Sequence, residues 1–172
     1  MKHNIPCTRL TQCEQSDMES LWLLLRPNSL PRSISSIILC AVYHSTSNGP
    51  PENQILCSHI QSNLDSLLIK QPNSLVIITG DFNSNSIGFN VTDLTHPNGL
   101  KQIVNFKTRD LGILDWFLTI RPSAFDMYQL PKIGKSDHFT ILARPAASSS
   151  SLVPRKLKLR DLRDDKWREF GQ

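Results

Sequence analysis

Residues 75–83 read Leu75-Val76-Ile77-Ile78-Thr79-Gly80-Asp81-Phe82-Asn83. Four consecutive apolar residues, three of them β-branched, make a run too short for an independent helix and continuous enough for a strand buried on both faces. The run stops at Gly80. Asp81 and Asn83 are two positions apart, so if strand geometry persists both side chains leave on one face. A carboxylate and a carboxamide then stand together at the carboxyl end of a buried strand, where ligands gather in open α/β sheets. Gly-Asp-x-Asn after a strand is also ordinary turn chemistry, with Gly supplying a positive φ and Asx side chains bonding nearby backbone. Both readings stand at this point.

The chain of 172 residues is long enough to bury one core of its own. Ser148–Ser151 and the flanking proline and alanine residues have the composition of a flexible linker, and residues 155–172 hold seven Lys/Arg against four acids. Most of the net charge of +4 therefore sits in the tail, and the body is nearly neutral. Overall charge is weak evidence for nucleic-acid binding. The leucines and aromatics of the tail are only partly at helical spacing, which fits a solvated helix or a nucleic-acid arm. Cys7, Cys13, Cys40 and Cys57 lack C-x-x-C spacing, and no apolar leader precedes them. Free thiols in an intracellular protein, nuclear or cytoplasmic and not secreted, are the expectation. The longest apolar run, residues 37–43, is too short to span a bilayer, so no membrane partner is expected.

Residues 19–26 and 33–43 read as two strands joined by a loop around Pro27 and Pro31, a hairpin. Leu56, Ile60, Leu64, Leu67 and Leu68 recur at helical spacing and predict an amphipathic helix over 51–70. The strand 75–79 follows. Residues from 84 read as a polar loop, 99–104 as one or two helical turns, 111–120 as a strand and 139–143 as the last strand. This order predicts helices packed on a sheet.

Asp115 interrupts an apolar strand, and a buried carboxylate is costly unless partnered. The candidate partner with a mechanistic character is His138, because an Asp holding a His sets its tautomer and raises its basicity. Asp81 and Asp137 remain as hard oxygen ligands or water-orienting groups, suited to Mg²⁺. With an Asn and a Tyr nearby, such a set makes a phosphoryl-transfer site.

Gly80-Asp81-Phe82-Asn83, Ile113-Leu114-Asp115-Trp116 and Ser136-Asp137-His138, in this order, resemble the motifs of the endonuclease/exonuclease/phosphatase family. Ala41-Val42-Tyr43-His44 looks like the family's active-site tyrosine segment. Thr108-Arg109 and the basic region after the last strand are similar to the apurinic-endonuclease-like domain of non-LTR retrotransposons. The resemblance implies an α/β fold, α+β by strict count, that is part of a four-layer sandwich with two packed β-sheets. It implies a Mg²⁺-dependent (Mn²⁺ possible) DNA endonuclease with a reverse transcriptase domain downstream in a longer parent. It assigns Tyr43 to the scissile phosphate, Asp81 to the attacking water and the metal, Asn83 to a phosphate oxygen and Asp137 to the metal. His138, paired with Asp115, would stabilise developing phosphate charge.

The family's first half carries an Asn and a metal-binding Glu ahead of the tyrosine segment, and neither Glu14 nor Glu19 matches that Glu. The resemblance covers roughly residues 19–144. Residues 1–144 are therefore expected to form a partial domain whose amino-terminal sheet is incomplete, with an exposed apolar edge near Leu21–Leu25, and 145–172 a linker and basic tail. An inactive or nucleic-acid-binding fragment is the alternative to a truncated endonuclease. A phosphatase or RNase of the same fold is a third reading.

Overall fold

The computed structural model describes residues 5–83, 89–110 and 112–146. The elements in chain order are β1 (Cys7–Arg9), β2 (Ser20–Leu25), β3 (Ser36–Tyr43), α1 (Pro50–Lys70), β4 (Ser74–Asp81), α2 (Val91–Asn98), β5 (Lys101–Gln102), β6 (Asp115–Thr119), β7 (Phe125–Leu130) and β8 (Thr140–Pro145). The first six strands form one sheet in the order β1-β2-β3-β4-β6-β5, and β7 pairs with β8 in a second.

The expected hairpin is present, with β2 antiparallel to β3 from Ser20↔Val42 to Leu25↔Ile37. β3 and β4 are parallel, which requires a long crossover, and α1 supplies it. α1 starts with prolines at its first two positions, where a missing N–H costs nothing, and the Glu52 side chain accepts from Gly49 N at 2.9 Å. Its buried stripe of Leu56, Ile60, Leu64 and Leu67 lies against Trp22, Ile38, Cys40, Val76 and Ile78 of the sheet. β4 is buried on both faces, as its continuous apolar run predicts. Val76 and Ile78 face the helices, while Leu75 and Ile77 join Phe117 in a second cluster against Phe125, Met127, Ile141 and Ala143 of the small sheet. The described residues thus build three layers: helices, a six-stranded mixed sheet and a two-stranded sheet.

Several expectations are corrected. The strands from the amino-terminal part lie in the larger sheet, and the two-stranded sheet is carboxyl-terminal. Leu21–Leu25 is no edge, because Cys7, Thr8 and Arg9 pair with Leu25, Leu24 and Leu23. The edge is instead a three-residue exposed strand ending in a charge, a common way to blunt it. The polar stretch after residue 84 contains α2, capped by Asn90, whose side chain accepts from Thr92 N at 3.1 Å. Gly99, at φ 61, ends that helix, so 99–104 holds β5 rather than helical turns. β7 was not anticipated. The tail from residue 147 lies outside the described residues.

All four cysteines are free. Burial pushes the Cys57 thiol up to about 11 and raises Cys13 and Cys40 as well, so these three are poor nucleophiles near neutral pH. Among the described residues no helix is long and apolar enough to cross a membrane.

Candidate active site

The site is built by strand register. Tyr43, the last residue of β3, is the partner of Asp81, the last of β4, and Asp81 is in turn the partner of Asp115, the first of β6. Three of the candidate site residues therefore stand in one row across the end of the sheet. Gly80 makes this close approach possible. Its φ is 143°, and a Cβ there would lie 1.9 Å from the Val42 carbonyl oxygen.

After Asp81 the chain turns sharply. Asn83 has φ 44°, its N–H donates to Asp81 Oδ1 at 3.2 Å, and its Nδ2 donates to the His44 carbonyl at 2.8 Å. The Asx turn and the cluster at the strand end are thus one object: the turn holds the carboxylate. Asn83 is only 4% exposed, so its amide is embedded in the backbone behind Asp81. Behind it, Phe82, Phe89 and Trp116 stack with ring centroids 4.6–6.4 Å apart.

His138 Nδ1 lies 2.7 Å from Asp115 Oδ2, and both side chains are about one-fifth exposed. Since a carboxylate can only accept, Nδ1–H donates, and Nε2 is the other ring nitrogen, 3.8 Å from Asp137 Oδ1. Burial chiefly, with the neighbouring Asp115 carboxylate adding to it, holds the Asp81 carboxyl above the usual carboxylate range. Asp81, Asp115 and His138 offer ligand atoms within 4.8 Å of one another, the one such metal-capable group among the described residues. Two carboxylates fit a hard cation such as Mg²⁺, which keeps waters and takes substrate oxygens for the rest of its shell.

Asp137, expected as a metal ligand, stands apart from that group. Its carboxylate is paired with the Arg109 guanidinium at 2.5 Å and lies 3.8 Å from His138 Nε2. The reason is the cation across the loop, which the sequence does not place. Tyr43 is half exposed and borders a cleft of about 320 Å³ with Glu19, His44, Asn48 and Glu52. Glu14 is taken up by Arg9 at 2.9 Å and by Trp22 N.

Two residues already present in the motif-like segments gain a role only from the fold. His44 is 3% exposed, with Nε2 at 2.7 Å from Asn53 Oδ1 and Asn48 Nδ2 at 3.0 Å from Nδ1, so it ties the start of α1 to the strand end. Its place after Tyr43 was the one available signal. Thr108 is fully buried beside Asp115; the sequence marked it only as part of Thr108-Arg109 and gave it no role.

The chain is thus a mixed α/β protein whose six-stranded sheet carries a carboxylate–imidazole cluster at one end. Its fold is similar to that of the human Nocturnin catalytic domain, solved with a bound sulfate anion, with a TM-score of 0.51 at 14% identity. The match covers 82% of this chain and 57% of that one. An endonuclease/exonuclease/phosphatase family protein from Bacteroides thetaiotaomicron gives a TM-score of 0.49 at 11% identity, covering 81% of this chain and 61% of that one. A conserved protein of unknown function from Enterococcus faecalis V583 gives 0.46 at 13%, covering 84% and 66%. The chain therefore spans about three-fifths of the length of the first two solved structures. No protein-family model and no curated protein matches the sequence.

Proposed function

We propose that this chain carries the catalytic site of a divalent-metal-dependent phosphodiesterase acting on DNA, of the type found in retrotransposon endonucleases. The observation that carries the reading is the convergence of Asp81, Asp115 and His138 beside Tyr43 at the sheet end. Asp81, beside Asp115 at the end of the sheet, orients the attacking water. His138, held by Asp115, presents Nε2 to a phosphate oxygen, and the half-exposed Tyr43 hydroxyl donates a second hydrogen bond. Asn83 keeps Asp81 aimed, its N–H donating to Asp81 Oδ1 while its buried side-chain amide donates to the His44 carbonyl instead of reaching the phosphate. Mg²⁺, or Mn²⁺, held by Asp81 and Asp115 supplies Lewis-acid stabilisation of phosphate charge when bound. The parent protein is read as intracellular, with a reverse transcriptase downstream.

The test is nicking of supercoiled plasmid with Mg²⁺ or Mn²⁺ against EDTA. Nicking that needs the metal and is lost in His138→Ala and Asp81→Asn is the expected result. Nicking that persists in both variants overturns the reading. A second reading, nucleic-acid binding without cleavage, is favoured by the small donor set of three among the described residues. Retarded DNA mobility with no nicking under any metal decides for it. Release of phosphate from small phosphomonoesters, with intact plasmid, decides for a phosphatase.

A further inference from the structure

Asp115 and His138 are 23 positions apart in the chain, yet their side chains meet at 2.7 Å. What holds the two segments in register is a third residue. The Thr108 hydroxyl oxygen accepts from Asp115 N at 3.0 Å and from Leu114 N at 2.9 Å. The Thr108 carbonyl accepts from Phe139 N at 2.7 Å, the residue directly after His138. Thr108 N in turn donates to the Gly112 carbonyl at 2.9 Å, and the residue is fully buried.

We infer that Thr108 is the positioning residue of the Asp115–His138 pair, its hydroxyl setting the first residue of β6 and its carbonyl setting the loop that delivers the imidazole. This rests on the proposed phosphodiesterase reading for its consequence in rate, but not for its geometry. One small buried residue reaches both partners, so losing its hold lets donor and acceptor shift relative to each other. A hydrogen bond weakens steeply with misalignment, and supporting groups around a site often matter 10- to 100-fold (~10–100) for metal affinity or rate. Valine keeps the shape of threonine and removes the acceptor. Serine keeps the acceptor and removes a methyl group.

The experiment compares Thr108→Val and Thr108→Ser in the full chain with three readouts. The first is the downfield proton resonance of His138 Nδ1–H, assigned by its loss in His138→Ala and read without metal. The second is Mn²⁺ affinity by titration, and the third is kcat and KM for nicking. Thr108→Val is expected to move or lose the His138 resonance, weaken Mn²⁺ binding about 10-fold or more, and lower kcat with little change in KM. Thr108→Ser is expected to match the natural protein in all three. An unchanged resonance and Mn²⁺ affinity in Thr108→Val overturn the inference, as does a Thr108→Ser variant that loses both. If Thr108→Val does not fold, Thr108→Cys, whose sulfur is a poorer acceptor, replaces it, and equal resonances in the Cys and Ser variants overturn the inference. Absence of nicking in the natural protein would sink the functional reading alone, because the resonance and the titration do not depend on it.

Discussion

Nδ1 of His138 stands 2.7 Å from Oδ2 of Asp115 in a pocket that leaves each side chain about one-fifth exposed. Partial shielding from water strengthens the bond and fixes the tautomer, and in the proposed function it is Nε2 that meets the phosphate.

Removing either partner should therefore separate binding from chemistry. Asp115→Asn leaves a side chain of the same shape that no longer offers a carboxylate to hold the Nδ1–H of the imidazole. It is expected to lower single-turnover hydrolysis on the order of 10²- to 10⁴-fold, as is His138→Ala. DNA affinity measured by gel shift should change much less. Equal losses in affinity and rate would show that the pair only shapes the surface.

Asp81 gives a prediction with a definite sign. Its folded-state pKa lies above the unfolded value, so protonated Asp81 favours the fold below about pH 4, and that contribution is lost as pH rises through the raised folded value. At pH 7 the folded protein holds an ionised carboxylate in a half-buried place. Asp81→Asn is thus expected to raise the melting temperature at pH 7, with the difference narrowing as pH falls through the carboxylate range, while hydrolysis is lost. A melting temperature that falls at pH 7 would refute the electrostatic account.

Gly80 tests whether the row of Tyr43, Asp81 and Asp115 depends on the close approach of β3 to β4. Alanine there meets the Val42 carbonyl oxygen at 1.9 Å and requires a φ of 143°, which L side chains rarely adopt. Gly80→Ala is expected to cost on the order of 3 kcal/mol or more, read as a lowered urea midpoint. A change within about 0.5 kcal/mol would mean that β4 can shift without penalty.

The sheet-forming part of the chain was legible because its signals are local. The apolar run ending at Gly80 places β4, the spacing of Leu56, Ile60, Leu64 and Leu67 places α1, and two apolar runs around Pro27 and Pro31 place the β2–β3 hairpin. α2 was hidden because it buries only Leu94 fully and contains Pro97, its start being marked by the Asn90–Asp93 capping box alone. β1 was hidden because all three of its residues are exposed. The meeting of Asp81, Asp115 and His138 could be anticipated from an acid inside an apolar strand and from the motif likeness.

What the sequence by itself determined is therefore the set of elements whose burial is written in a repeat of two or of 3.6 residues, together with the residues that interrupt those repeats. The pairing of His138 with Asp115 was expected from the sequence, and only the tertiary structure decided that Asp137 answers Arg109. Asp137 is the neighbour of His138 in the chain, yet its carboxylate pairs with Arg109, while the imidazole pairs with Asp115 from another strand. The physical reason is that chain neighbours share a backbone but not a direction, whereas strand register and the two-sided hold of Thr108 bring distant side chains onto one axis.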